Sequence, residues 1–245
     1  MSADHFSSVA GDYAKFRPRY PEALFQWLAA QVLEHSCVWD VGCGSGQASV
    51  ALARYFDQVY ASDISATQIK QATPAPNIQY MVRGSENSGL AANSVSLITI
   101  AQALHWFDLT RFYAEVVRVM KKSGLIAAWT YSPIQLVDPK LNAVMQDHYQ
   151  NTAQQWWPPG REHVDNGYRD LAFPFEPIVP PTFSMTASMN VEELCGYVRT
   201  WSASARYYQV MQKDPTMGLK RQLHALVGEA DFTVRWDLKV KAGRL

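Results

Sequence analysis

Cysteine is scarce in this chain. Cys37, Cys43 and Cys195 are too few and too unevenly spaced for a disulfide framework, and read as free thiols of a reducing cytoplasm. No Cys/His cluster has zinc-like spacing, so no metal is expected. Long apolar runs are missing, and nothing approaches the roughly 20 residues needed to span a bilayer. The start, MSADHFSSVAGDY, has no apolar stretch and does not read as a secretory signal. An excess of one charge is missing too, since 22 basic side chains balance 22 acidic ones. That balance lacks the basic footprint of a nucleic-acid surface. Repeats and low-complexity tracts are absent. The expectation is a cytoplasmic protein with no nucleic-acid partner and no membrane partner, its oligomeric state left open.

What is present is apolar mass and rhythm. With 48% apolar residues over 245 positions, the chain can build one sizeable core with an insertion. The pattern predicts a helix from Pro21 to Leu33, a strand over Cys37–Val41, a glycine turn, and a helix from Ala48 to Tyr55. A second strand over Val59–Ser62 ends at Asp63, and a helix covers Ala66–Ala72. Strands follow at Ile78–Val82, Val95–Ala101 and Leu125–Tyr131, with a helix from the Asp108 cap to Lys122 before the last. Alternating strands and helices imply a parallel sheet covered on both faces. After Ser132 the rhythm changes. A helix is predicted over Leu141–Gln155, irregular chain from QQWWPPG to Pro181, and a strand over Phe183–Met189. Helices over Val191–Tyr208 and Thr216–Gly228 precede a strand, FTVRWDLKV. The expected architecture is a Rossmann-like, seven-stranded, mostly parallel sheet with an antiparallel edge strand and a helical lid. Its expected parts are 1–132 (core), 133–231 (insertion with the helical lid and an edge strand) and 232–245 (final edge strand).

The loop VWDVGCGSGQ places Gly42, Gly44 and Gly46 between a strand and a helix. Dinucleotide folds use G-x-G-x-x-G there, with pyrophosphate on the helix N-terminus. This loop is G-x-G-x-G, and Asp40 before it would repel a pyrophosphate. An acid suits a cationic ligand such as S-adenosylmethionine, which carries a sulfonium, an ammonium and no phosphate. Asp63, at the end of the second strand, stands where an acid accepts hydrogen bonds from ribose hydroxyls.

With these residues the chain resembles the class I S-adenosylmethionine-dependent methyltransferases of the type 11 small-molecule group. VWDVGCGSGQ matches the family's first motif and YASDIS its ribose-binding turn; SVSLITIAQALHWFDLTRFYAEVVRVMKKSGLIAAW covers its fourth and fifth strands. YAKFRPRYP, AQALHWF and YVRTWSASARY extend the resemblance to the trans-aconitate methyltransferases. Ser96 stands where the family usually has an acid, and Lys122-Ser123-Gly124 where it usually has Pro-Gly-Gly; both departures look structural. The resemblance implies a cofactor site of Tyr13, Arg17, Asp40, Gly42, Gly44, Gly46, Asp63, Ile64, Ser85, Glu86, Ala101 and Gln102. Arg17 would meet the cofactor carboxylate as a fork. No metal is implied.

Gln102, His105 and Trp106 follow the fourth strand at its carboxyl end. His105 is the candidate catalytic base, or else orients the acceptor. Trp106, Arg199 and Arg206 are candidates for the substrate pocket, the two arginines being seven apart and so able to share a helical face. The function expected is transfer of a methyl group to a carboxylate or hydroxyl of a small molecule. Two alternatives remain: a non-catalytic S-adenosylmethionine-binding module, and a methyltransferase acting on a macromolecule. Against the second, AQALHWF stands where amino-methylating enzymes carry an Asn/Asp-Pro-Pro-aromatic motif, and Cys195 follows a leucine rather than a proline.

Overall fold

The computed structural model describes residues 18–245. The chain divides into two compact units. The larger takes residues 20–132, 162–183 and 237–245; the smaller includes 133–161 and 184–236.

The larger unit is built on a parallel sheet. Its strands are β1 (Cys37–Val41), β2 (Gln58–Asp63), β3 (Ile78–Val82), β4 (Val95–Ala101) and β5 (Met120–Tyr131). They lie in the order β3-β2-β1-β4-β5, every pair parallel. All of β1 and six of the seven residues of β4 are buried, which is the burial expected of strands covered on two faces. Helix α1 (Glu22–Ala30) precedes β1, and α2 (Gln47–Leu52), α3 (Ala66–Lys70) and α4 (Leu109–Val119) follow β1, β2 and β4. Asp108 caps α4 through Arg111 N, worth about 1 kcal/mol, and the helix buries Phe112, Tyr113, Val116 and Val119. The helix expected to reach Lys122 ends at Val119. Met120 is extended, wholly buried and paired with Val95, so the sheet takes the chain first.

The last strand, β9 (Phe232–Arg244), lies antiparallel to β5 from Ile126↔Gly243 to Tyr131↔Leu238. The short β7 (Glu176–Ile178) pairs antiparallel with the same end of β9. Within the smaller unit, β6 (Gln135–Leu136) pairs with Val234 and Arg235, and β8 (Ser184–Met189) also pairs with β9. Nine strands are thus joined by pairing instead of seven. The two-residue β6 and three-residue β7 carry too little pattern to be read from sequence.

Helices α5 (Pro139–His148), α6 (Arg161–Asp165), α7 (Val191–Arg199), α8 (Ser202–Met211) and α9 (Met217–Val227) complete the fold. The helix expected over 141–155 leaves α-geometry at His148, passing through a π-turn at Tyr149–Ala153 and a 3-10 turn at Gln154–Trp156. The single helix expected over Val191–Tyr208 is two helices. Thr200 donates its hydroxyl to Tyr197 O at 2.6 Å and Ser204 to Val198 O at 2.7 Å. Side-chain hydroxyls on last-turn carbonyls compete with the backbone ladder, and Trp201 is extended between the helices. The expected insertion 133–231 is also interrupted, since 162–183, which carries α6 and β7, belongs with the larger unit. No helix of the described residues is long and apolar enough to cross a membrane.

Candidate functional site

Strand order reverses between β1 and β4, and ligands of open parallel sheets bind beyond the carboxyl ends of the strands at such a point. The segments leaving these two strands pack on each other there. A Cβ added to Gly42 would stand 2.6 Å from Ala103 Cβ, too close for any side chain. Gly42, Gly44 and Gly46 all have positive φ (66°, 55° and 84°). Their surroundings differ. A Cβ on Gly46 would collide with the Tyr80 hydroxyl, whereas the nearest atom to one on Gly44 is Gln68 Oε1 at 3.8 Å. Gly44 therefore leaves open space beside the loop, a cradle that a side chain would fill.

The loop amides are already engaged. Gly42 N and Cys43 N donate to Ser62 O at 2.8 and 3.0 Å, Gly46 N to Cys43 O at 2.9 Å, and Gly44 N to Asp63 Oδ2 at 2.9 Å. A pyrophosphate cradle needs amides that point at the ligand. Here four of them face protein acceptors, and one of those acceptors is itself a carboxylate.

Asp40 was expected beside the ligand. It is wholly buried beneath the loop, where Oδ2 accepts from Ser49 Oγ at 2.5 Å and Oδ1 from Thr99 Oγ1 at 2.8 Å. Burial pushes its pKa up to about 6, the two hydroxyls pull it down, and the Asp63 carboxylate adds to the rise. Its charge acts on the site through the field rather than by contact. Asp63 is half-buried at the strand end, and besides Gly44 N its Oδ1 accepts from Ser65 N at 2.8 Å. Ile64 follows it and is 71% exposed, an apolar face presented beside the acid. Ser85 is buried and donates to Glu86 Oε1 at 2.9 Å. Their loop is fastened at Ser88, whose N and Oγ donate to Glu115 at 2.8 and 2.5 Å, while Arg118 grips the same carboxylate twice at 2.7 Å.

Beyond Ala101, Gln102 holds a left-handed backbone (φ 61°), strained for a residue with a side chain. Its N donates to Trp129 O and its Oε1 accepts from Thr130 Oγ1, both at 2.9 Å. Its Nε2 is buried with no hydrogen-bond partner. A buried orphan donor at a strained position is a mark of a binding site. The 3-10 turn Leu104–Trp106 then carries His105, whose Nδ1 lies 3.1 Å from the hydroxyl of the fully buried Tyr168. Trp106 packs on the imidazole with ring centroids 4.5 Å apart and remains 47% exposed.

The arginine pair is corrected. Arg199 ends α7 and Arg206 lies in α8, so no single helical face carries both. Arg199 is paired with Asp214 Oδ2, through Nε at 3.0 Å and a terminal nitrogen at 2.9 Å, which removes it as a ready acceptor of a substrate carboxylate. Arg206 is exposed. Tyr13 and Arg17 lie outside the described residues. Ser49, Thr99, Glu115 and Tyr80 were not picked out from sequence, and neither was the contact of Tyr168 with His105. A serine nine residues past Asp40 carries no local signal. Among the described residues no cluster of His, Cys, Asp and Glu could hold a metal.

Residues 39–128 match a family model described as a methyltransferase domain. A Dictyostelium discoideum protein named "Putative methyltransferase" is 34% identical over 223 residues, 90% of this chain and 85% of its own length. A "Probable S-adenosylmethionine-dependent methyltransferase" of Saccharomyces cerevisiae is 27% identical over 135 residues, covering 51% of this chain and 46% of that protein. The solved structure of a "Putative Type II Methyltransferase" from Anaeromyxobacter dehalogenans superposes with a TM-score of 0.88 at 39% identity, over 94% of this chain and 98% of that one. The engaged amides, the acids on either side of the loop and the open Gly44 fit a cationic nucleoside cofactor. The chain belongs to the class I S-adenosylmethionine-dependent methyltransferases.

Proposed function

We propose that this enzyme methylates an oxygen, carboxylate or hydroxyl, of a small molecule. The observation that carries the reading is the His105–Trp106 turn at the carboxyl edge of the sheet. A half-exposed indole beside one hydrogen-bonded imidazole is the composition of a small-ligand site, apolar with few polar groups. The balanced charge of the chain supports the same reading against a nucleic-acid substrate. The likeness to trans-aconitate methyltransferases in YVRTWSASARY favours a carboxylate.

Bound S-adenosylmethionine supplies an electrophilic methyl group on a sulfonium. In this reading Asp63 accepts from the ribose hydroxyls, Ile64 covers the adenine, and Ser85 and Glu86 meet its edge. Gly42, Gly44 and Gly46 let the backbone approach, with Tyr13 and Arg17 assigned to the same site. Ala101 and Gln102 line the methyl-bearing end, where Gln102 Nε2 has a hydrogen to give. The buried charge of Asp40 favours the cation. His105 orients a carboxylate acceptor, which needs no proton removed, or takes the proton of a hydroxyl acceptor. Alignment and exclusion of water supply most of the rate, worth roughly 7–11 kcal/mol. The larger unit carries Asp63, the glycine loop, His105 and Trp106, and the enzyme acts in cytoplasm.

The test is a screen of carboxylic acids and phenols for release of S-adenosylhomocysteine, with the methylated product identified by mass. Alkaline hydrolysis separates a methyl ester, which releases methanol, from a stable ether. Methyl transfer confined to nitrogen, or to protein or nucleic acid, would overturn the reading.

A further inference from the structure

The smaller unit contains a group of aromatic side chains with no assigned role. The segment 148–157 leaves α5 through a π-turn, a distortion of the helix that recurs at functional sites. It carries His148, Trp156 and Trp157. Each has a buried ring nitrogen with no hydrogen-bond partner: His148 Nε2, Trp156 Nε1 and Trp157 Nε1. His148 is only 4% exposed. Buried polar atoms are nearly always paired, and an unpaired one costs about 1–3 kcal/mol. Three within ten residues of chain is a concentration that packing alone does not explain.

The rings around these nitrogens are connected. Trp201 meets His148 at 6.4 Å between centroids, Trp157 at 5.5 Å and Tyr149 at 5.9 Å. Trp156 meets Tyr207 edge to face at 5.5 Å. The rings of two of the three orphan nitrogens, His148 and Trp157, therefore pack on one ring, Trp201, and the third lies on the adjoining segment. Indole N–H groups only donate. Burial lowers the pKa of His148, so its ring is neutral near pH 7 and can present an N–H in one tautomer. The guanidinium of Arg161 lies 4.0 Å over the Trp157 ring and brings positive charge to that side. The acids nearest His148 are engaged: Asp147 accepts from Asn151 at 2.7 Å and Asp214 pairs with Arg199. Flat apolar rings, donors without acceptors and an adjacent cation describe the complement of a flat ring that bears an anionic oxygen pair.

We propose that the smaller unit binds an aromatic carboxylic acid at His148, Trp157 and Trp201, and that this is the class of methyl acceptor. The second half rests on the small-molecule reading above. The experiment titrates the full chain, with S-adenosylhomocysteine present, with benzoate and cinnamate. Tryptophan fluorescence and calorimetry report binding; transfer of labelled methyl from S-adenosylmethionine is read separately. Saturable binding is expected. It should weaken at least tenfold for cyclohexanecarboxylate, which is not flat, and for benzyl alcohol, which has no carboxylate. Trp157→Phe keeps the stacking ring and deletes the N–H, and should weaken benzoate at least tenfold with the thermal midpoint preserved. His148→Phe should do the same, and its unfolding curve shows whether it folds. No saturable binding, or equal affinity in both variants, overturns the site. Binding with no methyl transfer to any aromatic acid overturns the acceptor assignment. If carboxylic acids of another class are methylated while benzoate and cinnamate neither bind nor react, the site fails and the small-molecule reading stands.

Discussion

The carboxylate of Asp63 accepts the amide hydrogen of Gly44 at 2.9 Å, so the acid at the end of β2 and the open glycine after β1 form one hydrogen-bonded unit. An acid that shapes the loop and remains half-exposed can serve a ligand with its outward lone pairs. Asp63→Ala should therefore weaken S-adenosylhomocysteine binding by about 1.5–3 kcal/mol, the scale of a lost hydrogen bond to a charged group. Calorimetry on the variant checks this, and NAD should bind poorly to the wild type. An unchanged affinity would confine Asp63 to holding the loop.

The glycines should separate by substitution. Gly46→Ala meets the Tyr80 hydroxyl and a φ of 84°, and should lower stability more than cofactor affinity. Gly44→Ala meets open space, so its stability cost is that of a left-handed alanine, about 1 kcal/mol. It should lose cofactor affinity by at least tenfold. Thermal melts and calorimetry on the two variants give the comparison.

Asp40 sets a pH dependence of unusual sign. Its folded pKa, about 6, is raised above the ordinary 3.8 by burial. The stability it contributes is present below pH 4 and is lost as pH rises through 6. The difference between the two values corresponds to roughly 3 kcal/mol, at about 1.4 kcal/mol for each tenfold change in proton affinity. Asp40→Asn should remove that slope between pH 4 and 7 in denaturant melts. A bound cation favours the ionised form, so wild-type affinity for S-adenosylmethionine should rise with pH through the same window, and the variant should not follow it.

Glu115 has the opposite sign. Hydrogen bonds from Arg118 and then Ser88 hold its pKa at about 2 against burial, so its contribution is present above about pH 4.5 and fades as pH falls toward 2. Arg118 is 43% exposed, which screens the pair. Glu115→Gln should cost about 1–2 kcal/mol at pH 7 and less near pH 3. It should also loosen the Ser85–Glu86 loop, read as faster amide exchange at 83–90.

His105→Ala separates positioning from proton transfer. With a carboxylate acceptor the substitution should raise KM and leave the pH profile without a histidine limb. With a hydroxyl acceptor it should lower turnover by roughly 100-fold or more. Tyr168→Phe removes the hydroxyl 3.1 Å from Nδ1 and should shift KM in the same direction by less.

The strands and the glycine loop were legible because their signals are local. β1 and β4 are continuous apolar runs, and the loop announces itself in five residues. Asp63 was found from its place at a strand end. The partners of Asp40 were not legible, because Thr99 comes from a strand 59 residues away and a threonine in a strand is ordinary. Tyr168 sits in a stretch with no periodicity, and only tertiary packing brings it to His105. The break at Thr200 was missed because helical periodicity runs on through it while two hydroxyls capture the carbonyls. Arg199 and Arg206 were read by spacing alone, which could not anticipate Asp214 or that break.

The pairing of Ile126 with Gly243 bears on how the protein is made. A ribosome finishes β5 long before it reaches β9. Until then the β5 edge stands with its backbone donors and acceptors unpaired, beside a sheet whose other strands can already assemble. Such an edge is a template for the wrong neighbour. Maturation thus has a late, vulnerable interval set by chain order and not by final stability. Substitutions in β9 should reduce the yield of folded enzyme from cells more than its melting temperature indicates, and supplying residues 232–245 as a peptide during translation should recover part of that yield.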